Sequence, residues 1–503
     1  MSAKRIYLAV GLCAGVVYLG ALWNQFALDD LPIIVTNPSV AHPSGIWRAF
    51  AAPYWPPDLG ARLYRPLVIA TFAFDRLVDS AAWFHLVNLL WHAAASVAVA
   101  ALARRWTDET GAGALVAGML FAVHPVHVEA VANVVGRAEL MAGLFTVLAV
   151  YAALVRERVG WSAAAWALGL LCKENAAVAP ALIALGWLVG LARPDRRQAA
   201  RFVATWVLVG VAYGAVYTMI GHGFTRYDTV APMFVGESPI TVRLTAVAAL
   251  ADVARLLLFP LTLRVDYSPD ERTVVTSPLD PSFVVGMLCA LLWGVLLALA
   301  WKRGRRLEAF GLGWIGIALL PVANLIYPAG FYVAERTLYL PSAGLVLAAA
   351  AALARLPRQR LRLVVAVLVL LGGIRTFLRV PVWRDDARVT RSITEDSPRS
   401  YVGHSRMAGV YLDRREPAQA LVEARIAAGI YRRDPWIFAT GAVAAFSVRD
   451  ARTADSLLAA LERVCAGGCA ATYYRYEAAV ARSHGYPEAA DSLLARLARL
   501  QVP

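Results

Sequence analysis

Long apolar runs constrain the fold of this chain more than any other feature of its sequence. Ile6–Trp23, Phe202–Ile220 and Phe283–Trp301 are each long enough to cross the hydrocarbon core of a bilayer as a helix. Of the 503 residues, 59% are hydrophobic and only 17% are charged. Because helices satisfy their own backbone hydrogen bonds in lipid, the sequence predicts an all-α, multi-pass membrane protein.

Basic residues lie in short clusters between the apolar runs, and the net charge is +14. This distribution is typical of cytoplasmic loops and lacks the aromatic-interleaved basic patch of a nucleic-acid-binding protein. With the clusters in the cytoplasm and the first apolar run retained as a span, we predict about eleven crossings. Ten follow Ile6–Trp23, at about 83–103, 112–125, 137–155, 161–172, 175–192, 202–220, 282–301, 309–327, 337–354 and 363–381.

Residues 383–503 differ in composition from the membrane domain predicted over 1–382. They carry charges of both signs and contain no apolar run of span length. The segment ADSLLA, which starts at Ala454, starts again at Ala490, an offset of 36 residues (490 − 454). A repeat of this period is typical of stacked helical hairpins.

The spacing of Tyr411, Ala420 and Ala427 fits the tyrosine and two small residues of a tetratricopeptide repeat. We therefore predict three helical hairpins, at about 400–435, 436–471 and 472–503, which stack into a short solenoid. An odd number of spans places this domain outside the cytoplasm. The residues Cys465 and Cys469 form either a local disulfide or two free thiols at a helix end.

The predicted topology places the unexplained polar residues at one face of the membrane, the outer one. They are Asp29 and Asp30, Arg65, His127 and Glu129, Arg137 and Glu139, Lys173 and Glu174, Arg226–Asp228, and Glu335-Arg336. Acids and bases at a membrane edge suit group transfer from a lipid-linked phosphate donor. The leaving phosphate needs cations, and the acceptor hydroxyl needs a carboxylate to take its proton.

Two sets of residues are candidates for these roles. Arg65, Arg137, Lys173 and Arg336 are candidates for binding the phosphate. Asp29 or Asp30 is the candidate base, although one aspartate at a span end is more often a helix cap. His124, His127 and Glu129 lack the spacing that places two imidazoles on one helical face, and Pro125 predicts a helix break. We therefore predict no metal site.

Several motifs resemble the transmembrane and tetratricopeptide-repeat-containing (TMTC-like) O-mannosyltransferases, which are GT-C-type membrane glycosyltransferases. They are ALDD after the first span, YRPL, FHLVNLLWH, HPVHVEAVANVVGRAE, LCKEN and AERTLYLPSAG, and the resemblance extends from about residue 24 to about residue 440. It implies a polyprenyl-phosphate-linked sugar, typically mannose, as donor at the outer face. The sequence itself identifies no cofactor. The resemblance also implies that one residue of the Asp29-Asp30 pair, Asp29 by its order, is the base of an inverting transfer. Arg137, Glu139, Lys173 and Arg336 would line the donor phosphate and acceptor region.

The sequence leaves the acceptor open between a protein hydroxyl and a lipid or cell-envelope glycan. The repeat domain is short and has Ala408 where the repeat consensus has glycine. A transporter would place its polar residues at the midplane of repeated halves. A membrane-anchored scaffold would not require charges to converge on one face. The high alanine and arginine content favours a bacterial source, and hence an inner-membrane location.

The alternation of basic clusters makes a testable prediction about topology. We expect a reporter fused after Pro503 to be active only outside the cytoplasm, because an odd number of crossings separates it from the N-terminal cluster Lys4-Arg5. A matched fusion after Arg105 should be active only in the cytoplasm. A cytoplasmic signal from the first fusion would contradict the predicted outer face.

Overall fold

The computed structural model describes residues 2–56, 63–107, 111–220, 230–465 and 468–500. Within these ranges the chain forms α-helices joined by loops and short 3-10 or π turns, with no β-strand, which confirms the predicted all-α class. The chain divides into two compact units. The first contains residues 1–230, 238–263 and 275–385, and the second contains residues 231–237, 264–274 and 386–503.

The first unit contains the apolar helices. Its α-helices are α1 Ala3–Val17, α2 Gly45–Arg48, α3 Pro66–Asp75, α4 Ala81–Arg104, α5 Ala112–Ala122, α6 Val128–Ala132, α7 Arg137–Leu154, α8 Val159–Leu170, α9 Ala179–Leu188, α10 Arg196–Ile220, α11 Pro239–Leu258, α12 Pro281–Lys302, α13 Arg306–Leu319, α14 Tyr339–Leu353 and α15 Arg358–Arg379. Helix starts follow local chemistry. The Ser238 hydroxyl accepts a hydrogen bond from the Thr241 N–H at 3.1 Å, and Asp280 caps α12 in the same way.

Several of these helices have the length and composition of membrane spans. Within the described residues, six helices qualify, or seven spans if α5 and the segment Pro125–Ala132 form one bent span. The bend of 47° lies at Pro125, where the sequence predicts a break. The helices α3 and α8 and the segment Glu174–Leu188 are apolar but shorter. A membrane protein with several spans is confirmed, whereas the number eleven stays a prediction.

Burial divides the long helices into two groups. The span that contains α7 is 83% buried within the protein, and α4 and α14 are also mostly enclosed. The span of α12 is only 11% buried, and α10 and α15 are similarly exposed although they are apolar. Exposed apolar helices of this length present their side chains to lipid. The enclosed helices therefore form the core around which the functional residues are arranged.

Two enclosed helices approach each other through glycine. In α13 and α14, a Cβ atom on Gly311 would overlap the carbonyl oxygen of Gly344, and a Cβ atom on Gly344 would overlap that of Gly311. Small residues allow such backbone contact between membrane helices, which associate through close packing. The contact joins α13 to α14, and Arg336 lies in the turn just before α14.

The second unit is built from shorter helices. They are α16 Asp386–Asp396, α17 Tyr401–Asp413, α18 Pro417–Ile430, α19 Pro435–Ser447, α20 Ala451–Val464, α21 Ala470–Ser483 and α22 Pro487–Leu500. The last six form three hairpins close to the predicted bounds. Ala420 and Ala427 are fully buried, and Tyr411 packs against the core cluster that contains Ala420. Small buried residues thus let the paired helices approach closely, as their spacing predicts.

The boundary of the second unit differs from the sequence prediction. The unit starts at Asp386 rather than residue 383, and it includes the segments 231–237 and 264–274 from the predicted membrane domain. Polar contacts hold these segments. The Tyr431 hydroxyl donates to the carbonyl of Pro232 at 3.1 Å, and the Ser400 hydroxyl donates to the Asp266 carboxylate at 2.5 Å. Such contacts between distant segments leave no periodic signal in the sequence.

Of the two states that the sequence leaves open for Cys465 and Cys469, the structure contains the disulfide. It joins the end of α20 to the start of α21. Among the described residues, Cys13, Cys172 and Cys289 are free thiols. The disulfide thus closes the connection between the second and third hairpins.

The glycine contact predicts a strong effect on stability. We expect Gly344→Val to lower the free energy of unfolding by about 3 kcal/mol, because the new side chain must displace backbone atoms of α13. Gly294→Val in the lipid-exposed α12 is the matched control, since a Cβ there meets nothing within 4 Å. Melting temperatures of the detergent-purified variants measure the effect. Equal melting temperatures would show that the two helices do not pack through this glycine.

Candidate active site

The loop that follows α1 and its 3-10 turn, Leu19–Trp23, presents the adjacent aspartates. Asp30 is buried, and its carboxylate accepts backbone N–H groups of Ala27 at 3.1 Å, Val134 at 3.4 Å and Val135 at 2.8 Å. Burial raises the pKa of the Asp30 carboxyl to about 7, although the three donors favour its ionised form. Asp30 therefore ties its loop to the segment before α7.

Asp29 has a different environment. Its side chain is partly exposed, and its carboxylate has no hydrogen-bond or ion-pair partner among the described residues. It lies within electrostatic range of Arg336 and of Tyr54. The preceding residue, Leu28, has a φ of 52°, a backbone conformation that is costly for a bulky side chain. The fold thus holds one aspartate as a structural acceptor and presents its neighbour.

The sequence predicts that four cations in this region bind phosphate. Of these four, Arg336 has the most exposed side chain. It lies in a 3-10 turn, Glu335–Leu338, that leads into α14. Its guanidinium pairs with Glu129, and its backbone N–H donates to the same carboxylate at 2.8 Å. The Arg336 side chain is 32% exposed, whereas that of Glu129 is 3% exposed. The buried glutamate therefore orients an arginine whose outer surface is accessible.

Lys173 and Glu139 form a second pair. The ammonium group of Lys173 contacts the Glu139 carboxylate, whose other oxygen accepts from the Asn175 side chain at 3.4 Å. Burial lowers the pKa of Lys173; Glu139 opposes this change, while the charges of Arg65 and Arg336 add to it. Lys173 is therefore within electrostatic range of both other cations.

Arg65 and Glu174 form a third pair, with a distance of 2.9 Å between Nη2 and Oε2. The guanidinium of Arg65 also lies over the Tyr54 ring, 4.9 Å from its centroid. The Oε1 atom of Glu174 and the hydroxyl of Tyr213 are buried without a hydrogen-bond partner among the described residues. Each interacts electrostatically with the other. Unsatisfied polar atoms beside a charged pair suit a hydroxyl-rich ligand.

Arg137 lies in a closed cage. Its guanidinium pairs with Asp75 and donates to the Asn88 side chain at 2.8 Å and to the Phe84 carbonyl at 2.9 Å. The group also lies 4.6 Å from the centroid of the Phe72 ring, and the side chain is fully buried. The structure thus gives Arg137 a packing role between α3, α4 and α7. Its direct contact with a donor phosphate stays a prediction.

His127 is also buried, among aromatic rings. Its Nε2 atom lies 2.7 Å from the Ser342 hydroxyl, and its ring centroid is 4.5 Å from that of Phe121 and 4.6 Å from that of Tyr339. The ring therefore links the segment before α6 to α14. In the described part of the chain, no group of three or more histidine, cysteine, aspartate or glutamate side chains is arranged to hold a metal ion.

The structure brings most of the predicted residues into one charged cluster. We call Asp29, Arg65, Glu129, Glu139, Lys173, Glu174 and Arg336 the outer cluster, after the membrane face that the sequence predicts for them. Electrostatic interactions connect these residues. Asp30 adjoins it, whereas Arg137 and His127 lie in their own buried environments. Arg226, Tyr227 and Asp228 lie outside the described residues.

Sequence reasoning missed three residues of this region: Asp75, Tyr54 and Tyr213. Asp75 had a detectable signal, because a lone carboxylate at the end of an apolar run requires a partner. The two tyrosines had none, since aromatic residues are common at membrane interfaces.

Comparisons of the sequence with known proteins find relatives that share one family name. The chain is 27% identical over 389 residues to the Homo sapiens protein O-mannosyl-transferase TMTC3, with 68% of this chain and 42% of that protein aligned. It is 27% identical over 462 residues to TMTC4 of Mus musculus, with 78% and 62% aligned, and 27% identical over 466 residues to Tmtc3 of Drosophila melanogaster, with 76% and 50% aligned. The resemblance to the TMTC-like family is confirmed. The chain spans about half the length of these TMTC relatives. No protein-family model matches it.

The Arg137 cage leads to a prediction that separates packing from phosphate binding. We expect Arg137→Ala to lower the free energy of unfolding by about 3 to 5 kcal/mol, because it leaves Asp75 buried and unpaired. Arg137→Lys should lose less, since it keeps the charge but not the bidentate geometry. Arg76→Ala, which breaks an exposed pair with Asp79, is the control. If Arg137→Ala melts like the wild type yet loses donor use, Arg137 binds the phosphate directly.

Proposed function

We propose that this chain is a membrane glycosyltransferase that moves a sugar from a polyprenyl-phosphate donor to a hydroxyl group on a protein. The names of the related protein O-mannosyl-transferases support protein as the acceptor and mannose as the sugar. The single observation that carries the proposal is the outer cluster, in which Asp29 is a partly exposed carboxylate that pairs with no described residue and lies within electrostatic range of the accessible Arg336. A base and a phosphate-binding cation are the two groups that this transfer requires.

The proposed reaction is a single displacement at the anomeric carbon of the sugar. The Asp29 carboxylate takes the proton of the acceptor hydroxyl as the hydroxyl oxygen attacks that carbon. The bond between the anomeric carbon and the phosphate oxygen breaks, and polyprenyl phosphate leaves with the electron pair. Because the nucleophile enters opposite the leaving group, the anomeric configuration inverts.

The cations of the outer cluster stabilise the charge that develops on the leaving phosphate. Arg336 is the proposed direct ligand, since Glu129 orients its guanidinium while 32% of its side chain is exposed. Arg65 and Lys173 are more enclosed, with side-chain exposures of 13% and 10%, and contribute positive potential nearby. Arg336 also lies within electrostatic range of Asp29, so the proposed phosphate ligand and the proposed base are neighbours.

Two buried polar atoms near Arg65 that lack a hydrogen-bond partner among the described residues suit the hydroxyl groups of the sugar. The Oε1 atom of Glu174 can accept a hydrogen bond from a sugar hydroxyl, and the Tyr213 hydroxyl can donate one. Both atoms are buried, so a ligand that satisfied them would remove a desolvation penalty. The proposal keeps this face extracytoplasmic, in a bacterial inner membrane, on the basis of the distribution of basic clusters.

The most direct experiment supplies the purified protein, in lipid nanodiscs, with radiolabelled polyprenyl-phosphate mannose and cell-envelope fractions. We expect label in material that is sensitive to protease. Label that is extracted with organic solvent would assign the acceptor to lipid instead. Transfer of the label only from a different phosphate-linked sugar would retain the reaction and change the donor sugar. No transfer to any fraction would contradict the enzymatic proposal.

The same assay tests the proposed base. We expect Asp29→Asn to lower turnover about a hundredfold or more, the scale for loss of a general base. The melting temperature should stay unchanged, because the Asp29 carboxylate has no partner to lose among the described residues. Asp79→Asn is the matched control, since the Asp79 side chain is 69% exposed and pairs only with Arg76 among the described residues. Full turnover of Asp29→Asn would remove this residue from the reaction.

Asp30→Asn should behave differently. The Asp30 carboxylate accepts hydrogen bonds from three backbone N–H groups, and in asparagine an NH₂ group replaces one of the accepting oxygens. Because backbone donors would then lose their acceptor, we expect a lower melting temperature. If Asp30→Asn instead folds normally and is inactive while Asp29→Asn retains turnover, the roles of the two aspartates are reversed.

A further inference from the structure

A second polar site lies at the ends of the helices that point away from the outer cluster. The helix α9 starts close to Glu174 and ends next to Gly190, and α14 starts close to Arg336 and ends close to Arg355. These distal ends, together with the start of α13, line a cavity of about 620 Å³. The cavity thus lies at least one helix length from the proposed reaction.

The lining of this cavity is strongly basic. Its charged residues are Arg105, Arg305, Arg306, Arg355 and Glu308. Four guanidinium groups and one carboxylate leave a formal charge of +3 (4 − 1) in a cavity of ligand size. Another cavity, of about 940 Å³, has three arginines and two acidic residues in its lining, a formal charge of +1 (3 − 2), and therefore selects less strongly for an anion.

Contacts within the lining hold the basic groups in place. Glu308 is 90% buried at its side chain, pairs with Arg355 and lies 3.6 Å from Arg305. Arg306 donates to the carbonyl of Gly190 at 3.2 Å, and the Trp106 indole donates to the carbonyl of Leu191 at 3.2 Å. The lining is therefore pre-organised by polar contacts from four separate segments, rather than being a set of unconnected surface side chains.

Exposed apolar residues lie close in the sequence to residues that line the cavity. Leu188, two residues before Gly190, is 68% exposed, and Leu299 and Trp301, shortly before Gly304, are 40% and 43% exposed. They belong to α9 and α12, and α12 has the length and exposure of a lipid-facing span. A ligand with a phosphate group and acyl chains matches both features, since the arginines bind the phosphate and the apolar surface covers the chains.

We propose that this cavity binds the headgroup of an anionic phospholipid. A guanidinium group can donate two parallel hydrogen bonds to the oxygens of a phosphodiester. The net positive charge of the lining repels cationic ligands and favours anionic ligands over neutral ones. Binding there stabilises the packing of α4, α9, α13 and α14 by joining their ends. This role is independent of the transfer reaction proposed for the outer cluster.

The test compares two pairs of basic residues on one short segment. Arg305→Gln with Arg306→Gln removes two charges that line the cavity, and Lys302→Gln with Arg303→Gln removes two that do not. Each variant, in neutral detergent, is titrated with short-chain phosphatidylglycerol and followed by melting temperature and native mass spectrometry. We expect the cavity pair to bind the lipid about tenfold more weakly than the wild type and the control pair to bind it within about threefold.

A second variant guards against misfolding of the first. Arg105→Glu reverses a lining charge in a separate segment, and its neighbour Arg104→Glu, outside the lining, is its control. Equal losses in both members of each set would overturn the proposal, because they would report general surface charge. Equal binding of phosphatidylcholine would also overturn it. If inorganic phosphate alone raises the melting temperature as much as the lipid does, the cavity takes a free phosphate and the lipid assignment falls.

Discussion

The structure depends on one constraint: a charge that is buried beside apolar helices must have a partner. Among the described residues of the first unit, the pairs that satisfy it include Arg137 with Asp75, Lys173 with Glu139, Arg336 with Glu129 and Arg65 with Glu174. In each pair the partners are distant in sequence, so the pairing also determines which helices lie together. Asp29 stands apart from this scheme, because its carboxylate has no such partner in the described part of the chain.

The same pairs arrange the outer cluster before any substrate binds. The Glu129 carboxylate contacts both the backbone N–H and the guanidinium of Arg336. Asp30 holds the loop of Asp29 against the segment before α7. Groups that are fixed in advance need little reorganisation when charge develops in a transition state. A packed core beneath the site, including the contact between Gly311 and Gly344, gives these pairs a rigid support.

Much of this arrangement could be predicted from the sequence, because the signals are local. The apolar runs predict the spans, Pro125 predicts the bend, and the small residues Ala420 and Ala427 predict close helical hairpins. The pairing of charges could not be predicted in the same way. Arg137 appears in the sequence as a candidate ligand for phosphate, and only the fold shows that Asp75 encloses it. The number of spans is also uncertain from sequence, since α3 and α8 are apolar but short.

The left-handed backbone at Leu28 has an implication for the history of the site. A leucine in this conformation costs on the order of 1 kcal/mol or more relative to glycine, so folding alone would favour replacing it. A glycine there, however, would let the peptide before Asp29 sample both halves of the conformational map. The side chain therefore trades folding stability for a narrow range of carboxylate positions. In lineages that are selected only for thermal stability, we expect Leu28 to be among the first residues that are replaced.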